Sequence, residues 1–265
     1  MSVIPLSSVD LAIAAILVLL LAILSNRLGL GFGRKLIIAG VRMTAQLLLV
    51  GLILRQLFSE YNVWFILILA LVMILIAGRE IMVRQKIRVQ GVYGYGVGVF
   101  SMAVSSFAIA FFSLFTIIQV DPWYTPQYAI PLLGMLLGNT MTGISLANDK
   151  LTSDIYEQRS LIEQRLYLGE NWQTASGDIR KNAMRTGMIP IINAMAAAGV
   201  ISLPGTMTGQ ILGGSPPLEA VKYQILILFL IAAGTGFGVI VSIWLINSSL
   251  FDKRDRLCLE KLKRE

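Results

Sequence analysis

The sequence has no histidine, and among its 265 residues one cysteine, Cys258. Without histidine there is no Ser-His triad, no His-dependent rhomboid-type dyad and no imidazole metal site. A lone thiol in a charged C-terminal tail excludes an intramolecular disulfide and a cysteine-cluster metal site. Charge is scarce as well, at 14% of residues against roughly 25% in soluble domains. No Lys or Arg precedes Arg27, so the basic start of a secretory signal is missing and the first apolar stretch is expected to stay in the mature protein. No Gly-Lys pair occurs anywhere, so the chain is not expected to be a P-loop ATPase by itself.

What is abundant is apolar surface. Hydrophobic residues make up 56% of the chain and the mean hydropathy is +0.75. That excludes a disordered chain, a nucleic-acid module and an ordinary soluble enzyme, and leaves an integral membrane protein. A helix needs about 20 apolar residues to cross the hydrocarbon. Seven stretches qualify, at 6–25, 37–58, 62–78, 93–119, 128–147, 185–203 and 220–247. The expected class is therefore all-α: a multi-pass membrane protein of about seven transmembrane helices, forming one domain over 1–265.

Basic residues give the expected orientation. Of 22 Lys and Arg, 19 follow spans 1, 3, 5 and 7, whereas the intervening loops hold Arg55 and Lys222 and span 2 holds Arg42. The opposite side carries Asp10, Glu60, Asp121 and Glu219. The positive-inside rule then places the N-terminus outside and the C-terminus inside. A retinal receptor is disfavoured, because the last span offers only Lys222, at its outer end.

Small residues recur four apart at Gly94/Gly98, Gly134/Gly138, Gly209/Gly213 and Gly234/Gly238, a spacing that suits close helix packing. The run Gly91-Val-Tyr-Gly-Tyr-Gly-Val-Gly98 looks like a nucleotide loop, but it enters a membrane helix rather than closing a βαβ unit.

Residues 148–185 form the one long polar segment, with six basic and six acidic side chains. Asp154-Ile-Tyr-Glu157 fits a capping box. Leu151, Ile155, Ile162 and Leu166 fall on one helical face. Two readings stand: a solvated amphipathic helix lying on the protein's own inner surface, or a docking helix for a separate subunit. ABC-importer permeases carry a cytoplasmic E-A-A-x3-G-x9-I-x-L-P loop that seats in the ATPase. Glu163-Gln-Arg-Leu-Tyr-Leu-Gly169 keeps its Glu-to-Gly spacing and Ile179 its isoleucine, whereas the two alanines and the Leu-Pro are absent. Glu163, Arg165, Leu166, Gly169 and Trp172 are thus the expected ATPase-coupling residues.

Two further segments are unusual at membrane depth. Span 5 ends in Leu136-Leu-Gly-Asn-Thr-Met-Thr-Gly-Ile-Ser-Leu-Ala-Asn-Asp149, and span 6 runs into Gly199-Val-Ile-Ser-Leu-Pro-Gly-Thr-Met-Thr-Gly-Gln-Ile-Leu-Gly-Gly214, followed by Ala220-Val-Lys-Tyr-Gln224. Polar side chains and broken backbone there need partners or a cavity. These segments, with Arg42-Met-Thr-Ala-Gln46, resemble the FetB-type permease family over almost the whole chain. The resemblance implies a permease subunit of an ABC system in a bacterial inner (plasma) membrane, pairing as a homodimer with a separate ATP-binding subunit that uses the ATP; this chain itself would bind no cofactor and no nucleic acid. It implies iron export for bacterial members, with aluminium tolerance and nucleotide-sugar transport connected to plant relatives.

The expected substrate pathway comprises Arg42, Gln46, Asn139, Thr140, Met141, Thr142, Asn193, Met207, Thr208 and Gln210. No carboxylate is left for a span's interior, so hard cations find few ligands; amides, hydroxyls, carbonyls and methionines remain. A metal would pass weakly coordinated or as a complex, another solute would pass instead, or the family's link to iron would be indirect. Met141, Met188, Met195 and Met207 serve packing, or a soft-metal relay. Arg42 either snorkels to the inner surface or acts within the membrane, on Gln46, Asn139 or an anionic solute. The rivals to an ABC permease are an ATPase-independent carrier or channel and an intramembrane enzyme, for which no nucleophile–base pair is visible.

Overall fold

The computed structural model describes residues 7–57 and 63–264. The expected outer-side Glu60 lies outside the described residues, as do the ends of the first three expected spans that fall on 6, 58 and 62. The chain divides into two compact units, Met1–Asn62 with Leu212–Gly214, and Val63–Ile211 with Ser215–Glu265. Nearly all of it is helical, and six helices are long and apolar enough to cross a membrane.

The first unit contains α1 (Ser8–Arg27) and α2 (Gly33–Leu57). Ser7 caps α1: its hydroxyl accepts the Asp10 N–H at 3.3 Å, and the Asp10 carboxylate accepts the Ser7 N–H at 2.8 Å. Gly29 and Gly31 turn the chain with positive φ (66° and 72°), a conformation open to glycine at little cost. Most leucines of both helices are exposed, as lipid-facing side chains are.

The second unit is a bundle whose helix directions follow from its cross-contacts. It contains α3 (Val63–Val83), β1 (Ile87–Val89), α4 (Gly91–Met102), α5 (Ala108–Phe112), α6 (Pro126–Glu157), α7 (Arg159–Tyr167), α8 (Trp172–Ala175), α9 (Gly177–Ala197), all but the last residue of α10 (Gly205–Leu212), α11 (Pro217–Ser249) and β2 (Leu262–Arg264). α4 and α5 belong to one continuous helix, Gly91–Ile118, interrupted by π-turns at Ala103–Phe107 and Ser113–Ile118. The Lys86 N–H, just after α3, donates to Asp149 Oδ1 (2.7 Å), and Met73 faces Gly134, so α3 and α6 run the same way. Asn148 accepts from Ser242 (2.9 Å) and Thr140 meets Gly238 and Gly234, so α11 runs with them. Tyr93 donates to Leu245 O (3.2 Å) while Ser105 meets Gly238, so α4 runs against α11. Asn247 donates to Ser176 Oγ (3.0 Å) while Gly236 meets Met188, so α9 also runs against it.

This geometry bears on the expected seven spans. The stretch at 185–203 falls on α9, which carries Lys181, Arg185 and an internal Pro190 and is not among the six sufficiently apolar helices. Yet α6 ends at the basic end of the bundle and α11 starts at the other, so the chain must return between them, and α9 makes that return. Its place comes from packing: Gly187 abuts Gly143 and Ala147 of α6 and Val239 of α11. A Cβ on Gly187 would sit 2.7 Å from the Gly143 carbonyl oxygen, so only glycine admits this approach. The pair was not found by a four-residue spacing, because its members stand on different helices. Among the expected pairs, Gly94/Gly98 and Gly234/Gly238 do meet neighbouring chain, whereas Gly138 and Gly209 have open space beside them.

All links at one end of this bundle are basic: 84–90, the α6–α9 connection and the tail after Ser249. They are joined to one another. β2 pairs antiparallel with β1, Thr152 donates to Ile87 O at 2.6 Å, and Lys261 Nζ donates to Ser249 O at 2.6 Å. The expected capping box is corrected here. Asp154 is buried inside α6, which runs on to Glu157, and accepts from Lys150 Nζ at 2.9 Å.

Candidate functional site

The Gly-Asn-Thr-Met-Thr-Gly run lies mid-way along α6, and helical steps send its side chains apart. Thr140 turns inward and is fully buried, with no hydrogen-bond partner for its hydroxyl. Met141 is half-buried against the core. Asn139 is exposed and Thr142 half-buried. Asn139 Nδ2 donates to Met135 O (2.8 Å) and Thr142 Oγ1 to Gly138 O (3.1 Å). Such back-bonding to the preceding turn satisfies part of a polar side chain without a second helix. Asn193 stands exposed on α9.

Around Thr140 the core is a seam of small and hydroxylated residues. Ser101, Ser105 and Ser106 from α4 and the first π-turn, with Thr235 and Ser242 from α11, are all buried. Ser105 donates back to Ser101 O (2.7 Å), whereas the hydroxyls of Ser101, Ser106 and Thr235 have no partner.

Met207, Thr208 and Gln210 lie on α10, at the end of the bundle opposite the basic links, each half-buried. Thr208 donates to Pro204 O at 3.3 Å. Thr206, one turn away, hydrogen-bonds Gln224 of α11. Gln210 lines a groove of about 310 Å³ together with Gln127, Tyr128 and Tyr223. Arg42 and Gln46 stand exposed on α2, in the first unit. The ten expected pathway residues are thus distributed over four helices, with Asn139 through Thr142 contiguous on α6 and Met207 and Thr208 on α10. No group of three or more Asp, Glu or Cys that would hold a metal ion occurs among the described residues.

At the basic end, α7 folds back on the bundle. Ile155 and Ile162 are buried and Leu166 partly so, on the face read from their spacing. Arg165 pairs with Asp178 at 3.5 Å. Glu163 is exposed, and Gly169 takes a positive φ of 93° that ends the helix. Trp172 stacks on Phe251 beyond α11, with the Arg180 guanidinium 5.8 Å from its ring centre. The side chains that α7 presents outward are others. Tyr167 is 89% and Leu168 85% exposed. The sequence signal for them was their position off the Ile162–Leu166 face in an otherwise charged segment.

In the tail, Asp252 accepts the backbone N–H of Arg256 (2.9 Å), the Arg256 Nε–H (2.8 Å) and the backbone N–H of Arg254 (2.8 Å). The Arg256 N–H, then its guanidinium, hold the Asp252 carboxyl at about 2.

The family model described as "Uncharacterised protein family (UPF0014)" matches residues 8–251. A UPF0014 membrane protein of Synechocystis is 37% identical over 86% of this chain and 88% of its own length. Protein ALUMINUM SENSITIVE 3 of Arabidopsis thaliana is 33% identical over 93% of this chain and 88% of its own. The probable iron export permease protein FetB of Escherichia coli is 25% identical over 97% and 96%. No solved structure matches. With its six apolar helices, and a family match that spans nearly every described residue, this chain belongs to the UPF0014 family of multi-pass helical membrane proteins.

Proposed function

We propose that this chain is the membrane-spanning subunit of an ABC transporter: two copies pair with a separate ATP-binding subunit and move iron outward across the plasma membrane, the inner membrane in a bacterium. The similarity to a protein named as a probable iron export permease supports the cargo and its direction. The observation that carries the reading is the tip of α7. Tyr167 and Leu168 stand almost fully exposed at the basic end, on a helix seated by buried Ile162. A soluble partner covering them would gain the burial of two large apolar side chains at a site rigidly joined to α6 and α9. The gathering of basic links at this end supports its facing the cytoplasm, and Arg27, Arg34 and Lys35 after α1 support an N-terminus outside.

Closure of the ATP-bound partners would press on α7 and α8, and the lever would shift α6, α9 and α11 between two packed arrangements. The test is iron flux from proteoliposomes that contain this chain with and without a candidate ATP-binding subunit from the same organism. Flux that needs the ATPase and ATP supports the proposal. Flux from this chain alone would instead support a self-sufficient carrier, and ATP-driven flux of other solutes without iron would overturn the cargo.

A further inference from the structure

At 1.5 Å per residue, Asn139 lies about 20 Å along α6 from Pro126 and about 17 Å from Lys150, in the middle of the bilayer. Its Nδ2 uses one hydrogen on Met135 O, which leaves Oδ1 and a second N–H open. The antiparallel contact of Gly187 with Gly143 and Ala147 puts Asn193 of α9 level with it. Asn193 is exposed and has no hydrogen bond among the described residues. Pro190, one turn before Asn193, cannot donate to the Thr186 carbonyl, so a main-chain oxygen is open there as well.

These groups share one face. Thr140 and Ile144 of α6 point toward α11, as Met188 does from α9; Asn139 and Thr142, and Thr186 and Asn193, step round their helices to the side away from it. An amide at this depth that faces lipid is costly. An asparagine both donates and accepts, so a two-fold axis through such a face would place self-complementary partners opposite one another.

We propose that the face of α6 and α9 bearing Asn139, Thr142 and Asn193 is the seam between two copies of this chain, and that the solute route runs hydrated along it, each copy supplying half of the amide lining. The seam follows from the polarity of the face; the route along it rests on the transport reading above.

The test uses the full chain in native membranes with Cys258→Ser, which leaves no other thiol. Asn139→Cys, Thr142→Cys and Asn193→Cys are compared with Phe229→Cys, on the 60% exposed outer surface of α11. A bifunctional maleimide with a spacer of about 10 Å should give cross-linked dimers at 139, 142 and 193 and none at 229; a direct disulfide reaches only about 7 Å between Cα atoms, too short to span a hydrated route. A membrane-impermeant maleimide should label 139 and 193 at least ten-fold faster than 229. Three substitutions guard against one that fails to fold, and each variant is checked as monodisperse protein in mild detergent. Dimers only at 229, or at none of the positions, overturn the seam. Dimers at the three positions without labelling overturn the hydrated route. Neither readout needs ATP or the partner, so absence of ATP-driven flux from the parent Cys258→Ser chain, with both readouts intact, would overturn the transport reading alone.

Discussion

Trp172 lies stacked on Phe251, ring centroids 5.6 Å apart and planes 24° apart. The residue that opens α8 is thereby tied to the second residue after α11. Buried Phe251 and Ile246 extend the contact into the core. Any push on the α7–α8 turn reaches the last helix directly through this pair.

Phe251→Ala should therefore destabilise the second unit by about 3 kcal/mol, in the range of buried Phe truncations. Trp172→Ala should cost less, since its ring is half-exposed. In a double-mutant cycle the pair should show a coupling of about 1 kcal/mol. Thermal unfolding in detergent, followed by tryptophan fluorescence for Phe251→Ala and by light scattering for the Trp172 variants, measures both.

The close approach at Gly187 makes a second expectation. Gly187→Ala pushes a methyl against the Gly143 carbonyl and Ala147 and should cost about 1–3 kcal/mol. Gly138→Ala meets open space and sits in the same kind of helix interior, so it should be neutral or gain a few tenths of a kcal/mol. Equal loss of folded protein from both variants would contradict the close approach of α9 to α6.

Tyr167 and Leu168 have little to lose within the chain itself. Tyr167→Ala with Leu168→Ser should leave the melting temperature within about 2 °C, as surface substitutions do. The same double variant should weaken co-purification with the ATP-binding subunit at least ten-fold. Unchanged capture, measured by quantitative pull-down from mild detergent, would remove α7 from the proposed docking surface.

The tail turn should respond to acid in one direction. Asp252 ionises at about 2 in the folded chain, against 3.8 ordinarily. Its contribution is therefore complete above pH 4 and is lost as the pH falls through 2. Asp252→Asn should loosen the turn above pH 4 and make little further difference as the pH falls to 2. Hydrogen exchange of the Arg254 and Arg256 amides, compared between pH 6 and the acid limit of the method, reads this out.

Hydropathy made five of the apolar helices legible almost to their ends, because partition into lipid is a local property of each stretch. α9 was legible only as a shifted stretch at 185–203, since its position depends on Gly143 and Val239, far away in sequence. The same non-locality hid the reach of α6 through Asp154, where a residue read as a cap is instead paired with Lys150 on the preceding turn. The π-turns of 91–118 left no signal, as nothing in Ala103–Phe107 demands them locally. At the site, residue types were visible but directions were not. Asn139 and Thr140 are neighbours in the chain, yet one helical step leaves the first open and the second sealed in the core. The coupling segment divided likewise, with Leu166 and Trp172 turned inward and Tyr167 and Leu168 outward.

Pro190 and the cations of α9 also bear on how the molecule is made. Three cations in its first half and a proline make α9 the helix whose place leans most on its neighbours. One of those neighbours, Val239, lies on α11, which is synthesised later. A chain truncated before Pro217 should therefore hold α9 less firmly, read as faster protease cleavage within α9 in isolated membranes.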